Sequence, residues 1–334
     1  MTAGLSGTPA REASTASEAS TASALAVTVI ICAYTEKRWD QLRAAVGSVL
    51  AQQPRAAQVL LVVDHNAALA GRARRELAGV TVLDSPGPPG LSGARNAGLK
   101  AAVHPLAVFL DDDAEARPGW LAALVAPYAD PDVVATGGSA HPRWPGARPR
   151  WLPPAFDWVV GCSYTGLPAA PGPVRNPIGA NMSLRTGPAL AAGGFDTGVG
   201  RLGAKPTGCE ETELAIRLTA ARPGASVWYA PAAQVDHHVA ADRVRLRYFL
   251  RRCWHEGRSK ARVVARAGAP AGLAAERRQA LRVIPAAVAA DLRAAAGGDG
   301  AALLRALATA GGLAVTAAGY GYGRARPETG AVAR

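Results

Sequence analysis

Short apolar runs alternate with segments of helical spacing between residues 27 and 113. The runs that predict strands are residues 27–33, 58–63, 80–83 and 107–110, and helical patterns occupy residues 39–52 and 92–103. This alternation is typical of an open α/β sheet with parallel strands, in which ligands bind beyond the carboxyl ends of the strands. The predicted fold class is therefore α/β.

Polar side chains follow three of these predicted strands. They are Tyr34 and Glu36 after the first, Asp64 after the second, and Asp111, Asp112 and Asp113 after the fourth. Two carboxylates roughly 5 Å apart repel by about 3 kcal/mol at an effective dielectric near 20. A divalent cation that holds the phosphates of a nucleotide would relieve this repulsion. The alternative is a solvated acidic turn, whose charges are screened by water and salt.

The N-terminal segment differs in composition from the rest of the 334-residue chain, which is 49% hydrophobic and long enough to bury a large core. Residues 12–17 and 18–23 repeat Glu-Ala-Ser-Thr-Ala-Ser, which offers little apolar surface to offset the entropy of ordering. We expect residues 1–25 to be a disordered tail. Because this tail contains no continuous apolar segment, we expect a cytoplasmic protein. Four widely spaced cysteines without a CxxC pair predict reduced core thiols.

The positive charge is concentrated near the C-terminus. Residues 241–334 carry 17 Lys and Arg against 6 Asp and Glu, within a net charge of +12. Arg247, Arg251, Arg258 and Arg262 would lie within about 60° of one another on a helix. This stripe predicts contact with a diphosphate, of a donor or a lipid-linked acceptor, or with anionic headgroups at a membrane. A solvated helix face is the alternative, and the lack of a nucleic-acid-binding motif argues against nucleic acid as a partner.

An ordered set of motifs resembles the family 2 glycosyltransferases of GT-A fold. The motifs are VTVIICAYTE (27–36), VVD (62–64), GLSGARNAG (90–98), FLDDD (109–113) and GCEETEL (208–214). The resemblance covers about residues 27–260. It implies an open mixed sheet with a Rossmann-like nucleotide-binding half, a nucleotide-sugar donor of the UDP type, and Mn²⁺ or Mg²⁺ as cofactor.

The resemblance also implies which residues bind the nucleotide. These are Ala33, Tyr34, Glu36, Asp64, Gly90, Arg95 and Asp112. Asp64 would accept a hydrogen bond from the base. Arg95 would reach a phosphate or the pyrimidine, since nearby glycines let the backbone approach closely, or would pair with the acidic triplet. The alternatives are a helix N-terminal residue favoured by the dipole for Glu36 and a plain turn-forming residue for Asp64.

Metal ligands and a catalytic base follow from the same resemblance. Asp111 and Asp113, as alternate residues of an extended segment, would bind the metal together with His237. His238 could take this role instead, and the alternative for the pair is one buried, hydrogen-bonded histidine and one exposed histidine. Glu211, at the start of a helical segment that runs to residue 222, would be the base, although the family usually has Glu-Asp where this chain has Glu210-Glu211. A capped helix start is the alternative for these glutamates.

We therefore predict a metal-dependent, inverting transfer of a sugar to an acceptor hydroxyl on a glycan or a lipid-linked molecule. Residues 252–260 are similar to a subset that acts on polyprenyl-phosphate-linked glycans, such as the glucosyl-dolichyl phosphate glucuronosyltransferases. A sugar-nucleotide nucleotidyltransferase and a non-catalytic, membrane-docking glycan-binding protein are the alternatives.

The predicted organisation is a transferase domain over residues 26–240, a basic, alanine-rich helical extension over residues 241–324, and a tail over residues 325–334. Residues 301–320 are rich in alanine and glycine, which favours an interfacial or packed helix over a membrane span. We expect peripheral contact with the inner face of the cell membrane through this extension.

Overall fold

The computed structural model describes residues 26–198, 208–268, 273 and 276–326. The strands are β1 (Val27–Ala33), β2 (Gln58–Val63), β3 (Thr81–Asp84), β4 (Leu106–Asp111), β5 (Ala114–Ala116), β6 (Val133–Arg143), β7 (Gly172–Val174), β8 (Asn181–Arg185) and β9 (Ser226–His238). The helices are α1 (Trp39–Leu50), α2 (Ala67–Glu76), α3 (Leu91–Ala101), α4 (Trp120–Val125), α5 (Thr186–Ala191), α6 (Glu210–Ala220), α7 (Leu246–Ala267), α8 (Ile284–Ala296) and α9 (Gly300–Ala325). The predicted N-terminal tail and most of the predicted C-terminal tail lie outside the described residues.

The strands form one mixed sheet in the order β3-β2-β1-β4-β8-β6-β9-β5, with β7 paired to β9. β1 runs parallel to β2 and β4, while β8 is antiparallel to β4. In this register Ala33 pairs with Val63, and Cys32 pairs with Asp111. The polar residues that follow these strands therefore share one edge of the sheet, and the predicted α/β class with an open mixed sheet is confirmed.

The amino-terminal strands are apolar because both of their faces are covered. Leu42 of α1 and Leu69 of α2 pack on one face, and Leu99 of α3 packs on the other. α3 lies very close to the sheet, since a Cβ added at Gly98 would be 2.5 Å from Ile30 Cγ2. The predicted strands 27–33 and 58–63 match the structure. All four cysteines are buried and unpaired, as predicted.

Asn181 joins the antiparallel half of the sheet to the rest. Its side-chain amide donates to the carbonyl oxygens of Ser139 (2.9 Å) and Ala233 (2.8 Å), and its oxygen accepts from Trp120 Nε1 at 2.8 Å. These bonds hold β6 and β9 beside β8. Because β9 also pairs with β5, with Ala114 opposite His237, the end of β9 lies beside the acidic triplet.

The C-terminal helices pack on one another through glycines. A Cβ at Gly257 of α7 would lie 2.0 Å from Thr316 O of α9, and one at Gly319 of α9 would lie 2.3 Å from Trp254 O. An ion pair between Arg305 of α9 and Asp291 of α8 (2.8 Å) links these two helices. Within the described part of the chain, α9 is long and apolar enough to cross a membrane. Of its apolar 18-residue stretch, 28% is buried.

Candidate active site

Two cavities meet at the carboxyl edge of the parallel strands. The larger has a volume of about 340 Å³ and the smaller about 80 Å³. Asp111, the last residue of β4, lines both of them. A ligand that filled the smaller cavity would therefore approach the larger one past this carboxylate.

The smaller cavity gathers most of the residues predicted to bind the nucleotide. These are Ala33, Tyr34, Asp64, Gly90 and Asp112. Asp64 Oδ2 accepts a hydrogen bond from the backbone N–H of Gly90 at 2.8 Å, which ties the end of β2 to the start of α3. Gly90 has a φ of +123°, which favours glycine at this position. Glu36 is exposed and is not among the residues that line either cavity.

Arg38, which the sequence analysis did not single out, holds the acidic triplet. Its Nη1 lies 2.6 Å from Asp112 Oδ1 and 3.1 Å from Asp113 Oδ2. Burial, together with the charge of Asp113, raises the pKa of Asp112 to about 7 despite the ion pair with Arg38. Among the described residues no group hydrogen-bonds to the other oxygen of Asp112, which is buried. Its capacity to accept a hydrogen bond is therefore unused within the described part of the chain.

Asp113 and His237 form a buried pair at the end of β9. His237 Nε2 lies 3.2 Å from Asp113 Oδ1. Burial alone lowers the pKa of His237, but the charge of Asp113 and the bond to it outweigh burial and raise that pKa to about 10. Burial likewise favours the neutral form of Asp113, but His237, Arg38 and Arg243 together hold its pKa well below the ordinary value.

The three residues predicted to bind a metal lie together. One ligand atom each of Asp111, Asp113 and His237 lies within 4.8 Å of the others. Two carboxylate oxygens and an imidazole nitrogen form a donor set that suits a divalent cation such as Mn²⁺, which on binding would displace the proton that His237 shares with Asp113. These residues therefore fit a metal ion.

Arg95 on α3 bridges the triplet to the start of α6. Its guanidinium donates to Glu210 Oε1 (2.9 Å), Asp111 Oδ1 (3.2 Å) and Gly179 O (2.8 Å), and its side chain is almost fully buried. The structure places Arg95 in the lining of the larger cavity rather than the smaller one. The ion pair with the triplet, one of the two roles foreseen from the sequence, is present.

Glu211, the predicted base, lines the larger cavity at the start of α6. Burial, together with the charge of Glu210, raises the pKa of Glu211 from 4.5 to about 7, although Arg95 and Lys260 oppose this. Glu210 points to Arg95 instead. The two adjacent glutamates thus have different surroundings: Glu210 is an ion-pair partner of Arg95, and Glu211 is a carboxyl whose pKa is raised by burial and by the charge of Glu210.

A buried ion network forms another side of the larger cavity. Glu256 accepts from Arg252 (2.7 Å) and Lys260 (3.3 Å), and Glu276 accepts from Lys260 (2.7 Å) and Arg175 (2.8 Å). Sequence reasoning missed this network. The spacing of four between its α7 members was a visible signal, but the partners contributed by residues 175 and 276 are distant in the chain.

Much of the remaining lining of the larger cavity is apolar and comes from distant segments. Phe156 and Trp158 contribute from the segment after β6, Ile284 from α8, and Leu313 from α9. By contrast, Arg247, Arg251 and Arg258 are not among the residues that line either cavity. Arg247 and Arg251 are exposed on α7, and the guanidinium of Arg258 lies 5.5 Å from the ring centre of Tyr322.

Comparisons with known proteins agree on one family. The family model "Glycosyl transferase family 2" matches residues 28–189. A glucosyl-dolichyl phosphate glucuronosyltransferase of Haloferax volcanii is 32% identical over 238 residues, which are 70% of this chain and 76% of that protein.

Solved structures share the fold at low sequence identity. The mannosyltransferase PcManGT from Pyrobaculum calidifontis, in complex with GDP-Man and Mn²⁺, has a TM-score of 0.58 at 19% identity, covering 89% of this chain and 87% of that one. GalNAc-T7 with UDP, GalNAc and Mn²⁺ has a TM-score of 0.51 at 17% identity over 72% of this chain. The match spans about half of that chain (51%). On this evidence the chain belongs to glycosyl transferase family 2 and is a glycosyltransferase of GT-A fold.

Proposed function

We propose that this protein transfers a sugar from a UDP-sugar to a hydroxyl of a polyprenyl-phosphate-linked acceptor, with inversion at the anomeric carbon. The observation that carries the proposal is the larger cavity, which joins Asp111 and His237 on one side to Glu211 on the other. A metal-binding group and a titrating carboxyl in one cavity suit a transfer between a diphosphate donor and a hydroxyl acceptor. Family membership favours this reading over a nucleotidyltransferase or a non-catalytic glycan-binding protein.

The donor nucleotide would occupy the smaller cavity. Asp64 would accept from the base, and the free oxygen of Asp112 would accept from a ribose hydroxyl. Asp111, Asp113 and His237 would hold Mn²⁺ or Mg²⁺. When bound there, the cation would neutralise the diphosphate and make it a better leaving group. The mannosyltransferase and GalNAc-T7 structures both contain Mn²⁺, which supports this choice of cofactor.

Glu211 would act on the acceptor. As its carboxylate it takes the proton from the acceptor hydroxyl, while the hydroxyl oxygen bonds to the anomeric carbon and the nucleoside diphosphate departs from the opposite face. A carboxylate with a pKa of about 7 is a stronger base than an exposed one, whose pKa lies near 4.5. Phe156, Trp158 and Leu313 provide an apolar surface for the sugar rings or the lipid of the acceptor.

The same proposal gives a role to each of the two predicted parts of the chain. Residues 26–240 form the transferase domain, and residues 241–324 form an extension that meets the cytoplasmic face of the membrane. The dolichyl phosphate substrate named for the Haloferax volcanii relative supports a lipid-linked acceptor.

The test is product formation by the purified protein. It is incubated with Mn²⁺, a glucosyl polyprenyl phosphate and, in turn, UDP-glucuronate, UDP-glucose and GDP-mannose. We expect one UDP-sugar to release UDP and to extend the lipid by one sugar, as mass spectrometry would show, with an inverted linkage by NMR. Retention at the anomeric carbon would contradict the inverting mechanism, and no transfer from any donor by correctly folded protein would contradict the function.

The pH profile should follow the titration of Glu211. Because the base must be ionised, kcat/KM should rise about tenfold per pH unit below a pKa of about 7 and level off above it.

The contribution of Glu211 to stability should change with pH in the opposite direction to the rate. The folded protein binds the Glu211 proton more tightly than the unfolded chain, whose pKa is near 4.5, so this group lowers the free energy of unfolding as the pH rises from 4.5 to about 7. Initial rates and urea midpoints across this range measure both effects, and a flat rate profile would contradict the role of Glu211.

A further inference from the structure

α9 exposes an apolar face along most of its length. Side chains spaced three and four apart lie on this face, namely Leu303, Leu307, Ala310, Ala314, Ala317 and Gly321, and all of these residues are exposed. The stripe is about 27 Å long at 1.5 Å per residue. Leu304 lies beside it and is 54% exposed. A helix that faced water along this side would carry polar residues there, so an apolar partner is expected.

Exposed arginines lie on the same group of packed C-terminal helices. Arg282 and Arg293 are exposed on or just before α8, Arg247 and Arg251 are exposed on α7, and Arg324 ends the stripe. Residues 281–326 contain two carboxylates, Asp291 and Asp299, and both pair with Arg305. The surface therefore combines exposed leucines with cations and leaves no unpaired carboxylate in this segment, which is the chemistry of a helix at an anionic lipid surface.

The packing of α9 favours a helix that lies on the membrane over one that crosses it. α7 contacts α9 from Phe249, beside Gly312, to Ala261, beside Gly323. α7 also carries the buried charges of Arg252, Glu256 and Lys260. Because α9 packs along this charged helix, a span through α9 would bring these charges into the hydrocarbon.

Residues of α8 and α9 line the larger cavity. Ile284 of α8, and Leu313 and Thr316 of α9, are among its lining residues. The cavity is thus bounded in part by α9, whose outer face is apolar. A lipid-linked molecule held in a bilayer beneath α9 would lie one helix away from the cavity that contains Glu211.

We propose that the apolar stripe of α9, together with the exposed arginines of the C-terminal helices, docks on the surface of an anionic phospholipid bilayer. The leucines at the start of α9 insert below the headgroups, while Arg247, Arg251, Arg282 and Arg293 contact the lipid phosphates. Docking refines the membrane contact proposed above for residues 241–324 and is independent of the proposed sugar transfer; the placement of a lipid-linked acceptor beside the cavity rests on that transfer.

The experiment is sedimentation of the full chain with vesicles of phosphatidylcholine, with and without phosphatidylglycerol. We expect binding to the anionic vesicles that high salt reverses. The double variant Leu303→Glu/Leu307→Glu should bind at least about tenfold more weakly, because two exposed leucines are lost and two negative charges are added. Val103→Glu is the matched control, since Val103 is 75% exposed outside the C-terminal helices. It should bind as the wild type does.

Three results would overturn the proposal. They are equal binding to neutral vesicles, unchanged binding by the double variant, and resistance of the bound wild type to alkaline carbonate, which would indicate a span. Circular dichroism and Mn²⁺-dependent UDP binding show that the double variant is folded. A wild type that sediments with anionic vesicles but transfers no sugar would contradict the proposed function alone. Transfer to a short-chain acceptor without vesicle binding would contradict docking alone.

Discussion

Replacing Glu211 with glutamine should lower kcat by a factor of about 10² to 10⁴, the usual contribution of a positioned general base. Glutamine keeps the size of the side chain but cannot accept the proton of the acceptor hydroxyl. UDP binding should be unchanged, because Glu211 lines the larger cavity and not the smaller one. Single-turnover transfer rates and calorimetric titration with UDP and Mn²⁺ measure the two effects separately.

Glu76→Gln is the control for this loss, since Glu76 lies on the exposed side of α2 in an ion pair with Arg72. It should leave kcat unchanged. If Glu211→Gln also retained the wild-type kcat, Glu211 would not be the base. Glu210→Gln makes a further contrast: it removes one of the two carboxylates that pair with buried Arg95 and should lower stability, by less than the about 3–5 kcal/mol lost when a buried ion pair is broken completely, because Asp111 remains.

Replacing Asp113 with alanine should weaken metal-dependent UDP binding by at least about 100-fold. Removing a residue that only supports a metal ligand already costs up to about 100-fold in metal affinity, and the loss of a ligand itself should cost no less. Asp113 would be a direct ligand, and it also holds His237 in place through the 3.2 Å contact. Its removal therefore affects two of the three atoms that can hold a cation. Calorimetric titration of UDP with and without Mn²⁺ measures the loss.

Asp84→Ala is the matched control for Asp113→Ala. Asp84 also stands at the end of a parallel strand, but its partner Arg74 is on the surface, and Asp84 is not among the residues that line either cavity. Thermal unfolding distinguishes loss of the site from loss of the fold, because Arg38 and Arg243 also face Asp113. UDP binding that does not need Mn²⁺ in the wild type, or that survives in Asp113→Ala, would contradict the metal assignment.

The amino-terminal half of the sheet was predictable because its physical signals are local. β1, β2 and β4 are buried on both faces, so their sequences are continuous apolar runs. In a parallel sheet the residues that follow such runs must meet at one edge. This is why Tyr34, Asp64 and the acidic triplet could be placed together without a structure.

The larger cavity was less predictable because its lining depends on contacts between distant residues. Arg175 and Glu276 pair across 101 positions, and Arg95 reaches Glu210 across 115. Nothing in the local sequence around any of these residues indicates its partner. The pairing of β9 with both β5 and β6, which brings His237 to Asp113, also depends on the whole sheet.

The two cavities draw on different stretches of the chain, and this division has an evolutionary consequence. The residues that line the smaller cavity lie between Cys32 and Asp112, whereas most of those that line the larger one lie beyond residue 154. Under the proposed function, substitutions in the second stretch, apart from His237, would change acceptor choice while recognition of the donor nucleotide is inherited intact. Asp111 and Leu91 line both cavities, so changes at these two positions would alter both specificities together.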